Sequence, residues 1–151
     1  TLAIILAAVA RSMIILIVSV LVFSLIIEIH FYKIVYIFLG TFLGSFILGA
    51  LGFMTGQYAL KFDHTAAVTN FIITPASFLS GVFYTTDRLP SFFQVISEWN
   101  PFFYIIDITR YGFLGESDGN ILFGIIYLSF ISLVLWFLCW YLYKIGWKLK
   151  S

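Results

Sequence analysis

Four long apolar runs dominate the chain and limit what it can fold into. They cover residues 2–27, 34–60, 66–84 and 121–143. Each is close to the ~20 apolar residues that a helix needs to cross a bilayer. Only 10% of the residues are charged, whereas a soluble domain carries about 25%. We therefore predict an integral membrane protein, with a single transmembrane domain over residues 1–151 and the lipid bilayer as its surroundings.

The four runs are predicted to be helices. In lipid each backbone polar group needs an internal partner, and an open sheet leaves its edges unpaired. The alternating pattern of an outer-membrane barrel is missing from the sequence. The fold class is therefore all-α, with four transmembrane helices. Two of the connectors are short, and the third, residues 85–120, is long.

The long connector is predicted to form two short helices. Pro90 begins one segment, and Asn100-Pro101 ends it, because proline suits the first turn of a helix and disfavours helix at the residue before it. Residues 101–114 would rise ~21 Å as a helix, short of the ~30 Å hydrocarbon core. We therefore predict two re-entrant or interfacial helices, 90–99 and 101–114, before the last span. Asp107 and Arg110 are three residues apart on one helical face, and we predict that they pair.

The distribution of basic residues predicts the orientation. Four spans place both ends of the chain on one side. If the ends are cytoplasmic, five basic residues lie inside (Arg11, Lys61, Lys144, Lys148, Lys150) and three outside (Lys33, Arg88, Arg110). This bias follows the positive-inside rule. The re-entrant helices are then predicted to lie on the outer face.

The third run contains a proline and several small polar residues. Pro75 removes one backbone hydrogen bond and should kink the helix. Hydroxyl side chains nearby can satisfy the freed carbonyls. The kink could act as a hinge or line a pathway, or it could be fixed geometry. The residues that carry this hypothesis are Asn70, Thr74, Pro75, Ser77 and Gly81, and Asp63 is a predicted cap on the cytoplasmic side.

Two features inside the spans have alternative interpretations. Gly40 and Gly44 form one GxxxG pair and Gly52 and Gly56 another, which allows close helix packing within the bundle or at a sliding or dimer-facing surface. Arg11 is the one charge well inside an apolar run. It can extend its head group to the inner membrane surface, or it can face a partner or a cavity.

Several functions are disfavoured by the residues. A net charge of +1 gives no basic field for nucleic acid. The single cysteine and two isolated histidines give no metal-ligand spacing. No phosphate-binding GxxxxGK[ST] loop is present. A lipid-modifying enzyme would need acids or histidines that converge at one depth, and the predicted topology separates Asp63 from Asp107. We therefore predict no catalytic residue, metal or cofactor in this chain.

The run from Asn70 to Gly115 resembles the membrane subunits of type-2 ABC exporters. The likeness rests on Leu79-Ser80-Gly81-Val82-Phe83, Leu89-Pro90, Asn100-Pro101, Tyr104, Arg110 and Gly115. It implies that the short helices form an outer gate. The gate residues would be Pro90, Asn100, Pro101, Tyr104, Asp107, Arg110, Gly112 and Gly115.

The resemblance also implies partners and a location. Family members have six spans, so this chain would be a fragment that holds the last four. Two permease subunits, as a homo- or heterodimer, would pair with ABC ATPase subunits that bind the ATP, in the bacterial inner membrane. The expected function is export of a drug, a lipid-linked glycan or another amphipathic cargo. An assembly subunit without transport, and less readily a lipid-modifying enzyme, are the alternatives.

Overall fold

The computed structural model describes residues 2–25, 31–58, 62–82 and 90–145, and this part of the chain contains helices and turns but no strand. The prediction of an all-α membrane protein is confirmed. In chain order the helices are α1 (Leu2–Ser24), α2 (Ile34–Tyr58), α3 (Phe62–Val68), a π-helical segment (Thr69–Ile73), α4 (Thr74–Phe78), α5 (Ser91–Glu98), α6 (Pro101–Leu114) and α7 (Ile121–Ile145).

Three described helices, α1, α2 and α7, are long and apolar enough to cross a membrane. They have 23, 25 and 25 residues, which corresponds to roughly 35–38 Å of helix. Many of their large apolar side chains are exposed, which is expected of helices whose solvent is lipid.

The third apolar run starts and ends earlier than the predicted span 66–84. It is helical from Phe62 to Phe78, about 25 Å. The π-helical segment ends at Ile73, two residues before Pro75, and the Thr74 N–H bonds to the carbonyl of Thr69. A proline cannot donate to the fourth preceding carbonyl, and this change of register is the local response to that loss. The run is shorter than α1, α2 and α7, so its crossing of the membrane stays a prediction.

Helix α2 lies at the centre of the bundle and packs against α1, α6 and α7. The main core joins α2, α6 and α7 through Leu43, Ile47, Phe103, Tyr104, Ile108 and Leu128. A smaller core joins α1, α2 and α7 through Ile5, Ala50 and Cys139. Helix α6 is therefore packed among the spans along much of its length, although it is too short to be one.

The glycines of α2 divide into two groups by what they face. A Cβ on Gly40 would lie 3.2 Å from the Thr109 backbone nitrogen of α6, and one on Gly44 would lie 2.7 Å from the Ile105 side chain. The first GxxxG pair therefore packs within the bundle. Gly52 and Gly56 have no atom within 4 Å of such a Cβ in the described part of the chain, so the second pair is open.

Candidate functional site

The break between α5 and α6 is held by Asn100. Its side-chain oxygen accepts a hydrogen bond from the Phe102 N–H at 3.0 Å and so caps α6, while Pro101 occupies the first helical position. The side-chain nitrogen of Asn100 donates to the Ala76 carbonyl of α4 at 2.6 Å. The predicted break is confirmed, and one residue both starts α6 and binds α4.

Before the break, Pro90 precedes α5 as predicted. Its carbonyl accepts hydrogen bonds from the Phe93 and Gln94 backbone nitrogens at 2.9 and 3.2 Å. Helix α5 then runs to Glu98, so both predicted short helices exist with nearly the predicted bounds.

Asp107 holds the loop between α6 and α7. Its carboxylate is 1% exposed. It accepts hydrogen bonds from the Asp118 N–H at 2.8 Å, the Gly119 N–H at 3.1 Å and the Ser117 hydroxyl at 3.1 Å. A buried carboxylate is costly unless donors satisfy it, and the backbone of this loop supplies them.

The predicted pairing of Asp107 with Arg110 is wrong. Arg110 forms a salt bridge with Asp118, at 2.6 Å between Nη1 and Oδ2. Its Nη2 donates to the Gly81 carbonyl at 2.6 Å. The reason is that Asp107 points into the loop, where fixed backbone N–H groups satisfy it, while Arg110 has enough length to reach two other elements. Spacing on one helix could not reveal these long-range partners.

Arg110 consequently links three parts of the fold. Gly81 lies in the turn after α4 and has a φ of 77°, a conformation that a glycine adopts without strain. Asp118 lies in the α6–α7 loop, and its backbone N–H is held by Asp107. We call Asp107, Arg110, Asp118 and Gly81 the loop clamp, because together they fix the end of α4, the body of α6 and the start of α7.

Gly112 brings α2 and α6 together at the same end of the bundle. Its carbonyl accepts from the Tyr32 and Lys33 backbone nitrogens at 3.0 and 2.9 Å. A Cβ at Gly112 would lie 2.8 Å from the Ile37 nitrogen, so only glycine permits this approach. Gly115 ends α6 in the left-handed conformation with a φ of 76°, which glycine adopts readily at a helix C-terminus.

A tyrosine cage around Lys33 was not foreseen from the sequence. The ammonium lies 5.2–5.7 Å from the ring centroids of Tyr32, Tyr36 and Tyr111, within cation–π range. It also donates to the Tyr111 hydroxyl at 3.2 Å, and this hydrogen bond raises the pKa of Lys33. The sequence does place Lys33 close to Tyr32 and Tyr36 at the predicted membrane boundary, and this pattern could have indicated a cation–π site. The third tyrosine, Tyr111, comes from α6 and could not be foreseen.

Tyr104, a predicted gate residue, is buried in the core between α6 and α7. It is 6% exposed and packs edge-on against Phe123 and Tyr127. A Cβ on Gly124 would lie 2.7 Å from its ring. Tyr127 in turn donates to the Trp99 carbonyl at 2.7 Å. Tyr104 therefore anchors α6 to α7.

The described hydroxyl groups of the third run donate to backbone carbonyls of the same run, although not to that of Phe71, the fourth residue before Pro75. The Thr74 hydroxyl donates to the Thr69 carbonyl at 2.9 Å, and the Ser77 hydroxyl donates to the Ile73 carbonyl at 2.8 Å. Asn70 and Pro75 are exposed. Of this group only Gly81 joins the loop clamp. Asp63 lies in the first turn of α3, its side chain lies outside the described residues, and its capping role stays a prediction.

No group of three or more histidine, cysteine or acidic side chains that could hold a metal ion occurs among the described residues. The polar groups that do converge are engaged in holding helices and a loop.

The comparisons with known proteins agree with this architecture. The model of a family described as "ABC-2 type transporter" matches residues 1–114, from α1 to the end of α6. The chain belongs to the ABC-2 type transporter family. The resemblance to type-2 ABC permeases is thereby confirmed.

Curated relatives of this ABC-2 chain come from different bacteria. The inner membrane transport permease YadH of Escherichia coli K12 is 35% identical over 119 residues, which are 78% of this chain and 46% of YadH. Nodulation protein J of Rhizobium leguminosarum bv. viciae is 33% identical over 72 residues, 48% of this chain and 28% of that protein. The chain thus spans less than half the length of these relatives. No solved structure matches it.

Proposed function

We propose that this ABC-2 chain is part of the transmembrane permease of an ATP-driven exporter in a bacterial inner membrane. The observation that carries the proposal is α6, a 14-residue helix that begins at Pro101, ends at Leu114 and is too short to cross the membrane. Its packing against α2, which lies with it inside the family match of residues 1–114, and against α7 supports a gate. The similarity to YadH, which is named a transport permease, supports transport.

The proposed driving force is ATP hydrolysis on a separate ABC ATPase subunit, with no cofactor and no enzymatic activity in this chain. Two permease subunits would assemble with the ATPases. Closure of the ATPases would move the permease helices as rigid bodies. The proposed cargo class is amphipathic, as expected from a pathway within an apolar bundle, and both drugs and lipid-linked glycans are suitable test cargoes.

In the proposed orientation both ends of the chain are cytoplasmic and the loop clamp faces outward. Arg110 then holds the end of α4 against α6 in a closed outer gate. Passage of cargo between these elements requires the contacts of Arg110 with Gly81 and of Asn100 with Ala76 to separate.

A reversible disulfide tests the gate directly. Ala76→Cys and Asn100→Cys would be combined in a Cys139→Ser background of the full-length subunit, reconstituted in vesicles with its cognate ATPase. We expect oxidation to stop transport while ATP hydrolysis continues, and reduction to restore transport. The single Ala76→Cys variant, treated with the same oxidant, is the control. Full transport with the disulfide formed would contradict the gate.

The second candidate function is a membrane assembly subunit without transport. The extensive clamping of α4, α6 and α7 is also what a static scaffold would show. Co-purification of the full-length subunit with an ABC ATPase, together with cargo-stimulated ATP hydrolysis, separates the two. Binding to other membrane proteins without an ATPase would favour the scaffold.

A further inference from the structure

A groove of about 410 Å³ runs between α1 and α2 on the side of α2 away from α6. On α2 it is lined by Ser45, Gly49 and Gly52, which follow one another at spacings of four and three and so share one helical face. Gly56 continues the same face, and neither Gly52 nor Gly56 has an atom within 4 Å of a built Cβ in the described part of the chain.

Arg11 of α1 also lines this groove. It lies nine residues after Leu2, about 13 Å along the helix, and it is exposed. No described residue provides it with a salt bridge or hydrogen bond. The two groove serines are already engaged, since Ser12 donates to the Val9 carbonyl and Ser45 to the Thr41 carbonyl.

The unpaired Arg11 and the small residues of α2 each indicate what kind of molecule covers the groove. A guanidinium within a transmembrane helix is costly, and such residues face a partner or a water-filled cavity. Carboxylates match its planar fork best. The ridge of small residues from Ser45 to Gly56 extends about 16 Å. Gly49 already admits α1, since a Cβ there would lie 2.9 Å from the Ala8 Cβ, whereas Gly52 and Gly56 have no such neighbour among the described residues. Small residues let the backbone of a second helix come close. A lipid chain needs no such ridge.

We propose that this groove is the docking surface for a transmembrane helix that carries an aspartate or glutamate at the depth of Arg11. We further propose that the helix belongs to the part of a full-length permease outside residues 1–151. The proposal concerns assembly and does not depend on transport.

The acidic residues of this chain support that choice of source. None lies in α1, α2 or α7, or in the stretch from Thr65 to Phe78. The long helices of a second copy therefore cannot supply the carboxylate. The curated relatives extend well beyond the matched region, since 119 matched residues are 46% of YadH. Glu98, at the end of α5, is an acid of a second copy that the experiment has to exclude.

Photo-crosslinking identifies what covers the groove. Leu48 lines it and is 40% exposed, so it would be replaced by p-benzoylphenylalanine in the full-length subunit in native membranes. Ile126 of α7, 61% exposed and outside the groove lining, is the matched control. We expect the Leu48 probe to crosslink to a helix of the same polypeptide outside residues 1–151 and the Ile126 probe to crosslink to lipid. Crosslinks at Leu48 to α1 only, which lines the groove itself, would mean that no other helix covers it. Crosslinks at Leu48 to lipid only, or to a second copy, would overturn the proposal.

Charge reversal identifies the carboxylate. We expect Arg11→Glu to lower the yield of monodisperse full-length subunit several-fold and Arg11→Lys to retain most of it. Reversing one acid in the crosslinked helix to lysine should restore the yield of the Arg11→Glu variant. An unchanged yield in Arg11→Glu, no rescue by any such acid, or rescue only by Glu98→Lys would each refute the docking of this helix. The readout is folded protein, so a failure here is distinct from a failure to transport.

Discussion

The Asp107→Asn substitution tests whether one buried carboxylate sets the position of the α6–α7 loop. In the structure this carboxylate accepts three hydrogen bonds from residues 117–119 and is 1% exposed. Asparagine has nearly the same shape but keeps only one acceptor oxygen and presents two N–H donors. One of the backbone donors of Asp118 and Gly119 would then face another donor.

The size of the effect follows from these contacts. Hydrogen bonds to charged groups contribute about 1.5–3 kcal/mol each, and a buried donor left unsatisfied costs about 1–3 kcal/mol. The substitution weakens at least two such bonds, while the lower cost of burying a neutral side chain offsets part of the loss. We expect a net loss of about 3 kcal/mol, or roughly 6–12 °C in melting temperature for a chain of this size.

Cys139 supplies the assay for this prediction. It is the single cysteine of the sequence, and it is buried, so a thiol-reactive fluorophore reports unfolding of the bundle in detergent. Glu116→Gln is the matched control, because this exposed acid in the same loop has no partner among the described residues. If Asp107→Asn melts within about 2 °C of this control, the carboxylate does not hold the loop and the reasoning is wrong.

Four further predictions concern neighbouring features. Arg110→Gln should cost about 1–2 kcal/mol by the same melting assay, because it loses two charge-assisted contacts at a partly exposed site; a melting point equal to that of the unaltered protein would contradict the clamp. Gly112→Ala should destabilise by about 1–3 kcal/mol through overpacking against Ile37; a melting point equal to that of the unaltered protein would contradict this close approach. The pKa of Lys33 is raised from 10.5, so the stability it contributes is complete below that pH and is lost as pH rises through the raised value; the melting difference between Lys33→Met and the unaltered protein should stay constant up to about pH 9. Ser117→Cys, in a Cys139→Ser background, should react with an impermeant thiol reagent from outside the cell, and labelling only from inside would reverse the proposed orientation.

Much of the architecture could be predicted because the deciding signals are local. The lengths of the apolar runs identified α1, α2 and α7. Asn100-Pro101 carries both a helix cap and a residue suited to the first helical turn, and α6 begins at Pro101 as expected. Gly115 ended the same helix through its own backbone preference. Each of these signals acts within a few residues and does not depend on what packs nearby.

The partners of Arg110 could not be predicted because they depend on how distant segments meet. Gly81 and Asp118 are 29 and 8 residues away in the chain. Helical spacing gave Asp107 as the partner, but spacing shows only which side chains share a face. Competing donors and acceptors decide whether two charges on one helical face form a pair. Here the competing donors are backbone N–H groups of the α6–α7 loop, and no local sequence pattern predicted that this loop would pack against α6.

The same contacts determine how movement could pass through the bundle. Helix α6 is joined to one neighbouring segment, α4 with the turn that follows it. Asn100 bonds to Ala76 of α4 at the start of α6, and Arg110 bonds to Gly81 of the turn near its end. It is joined to α2 through Gly112 and to α7 through the ring of Tyr104. A helix held at both ends by one neighbour cannot bend away from it progressively, because each anchor constrains the other. We therefore infer that α4 and α6 separate in one step when both polar anchors break, and that a rigid displacement of α4 is the movement to which this site responds.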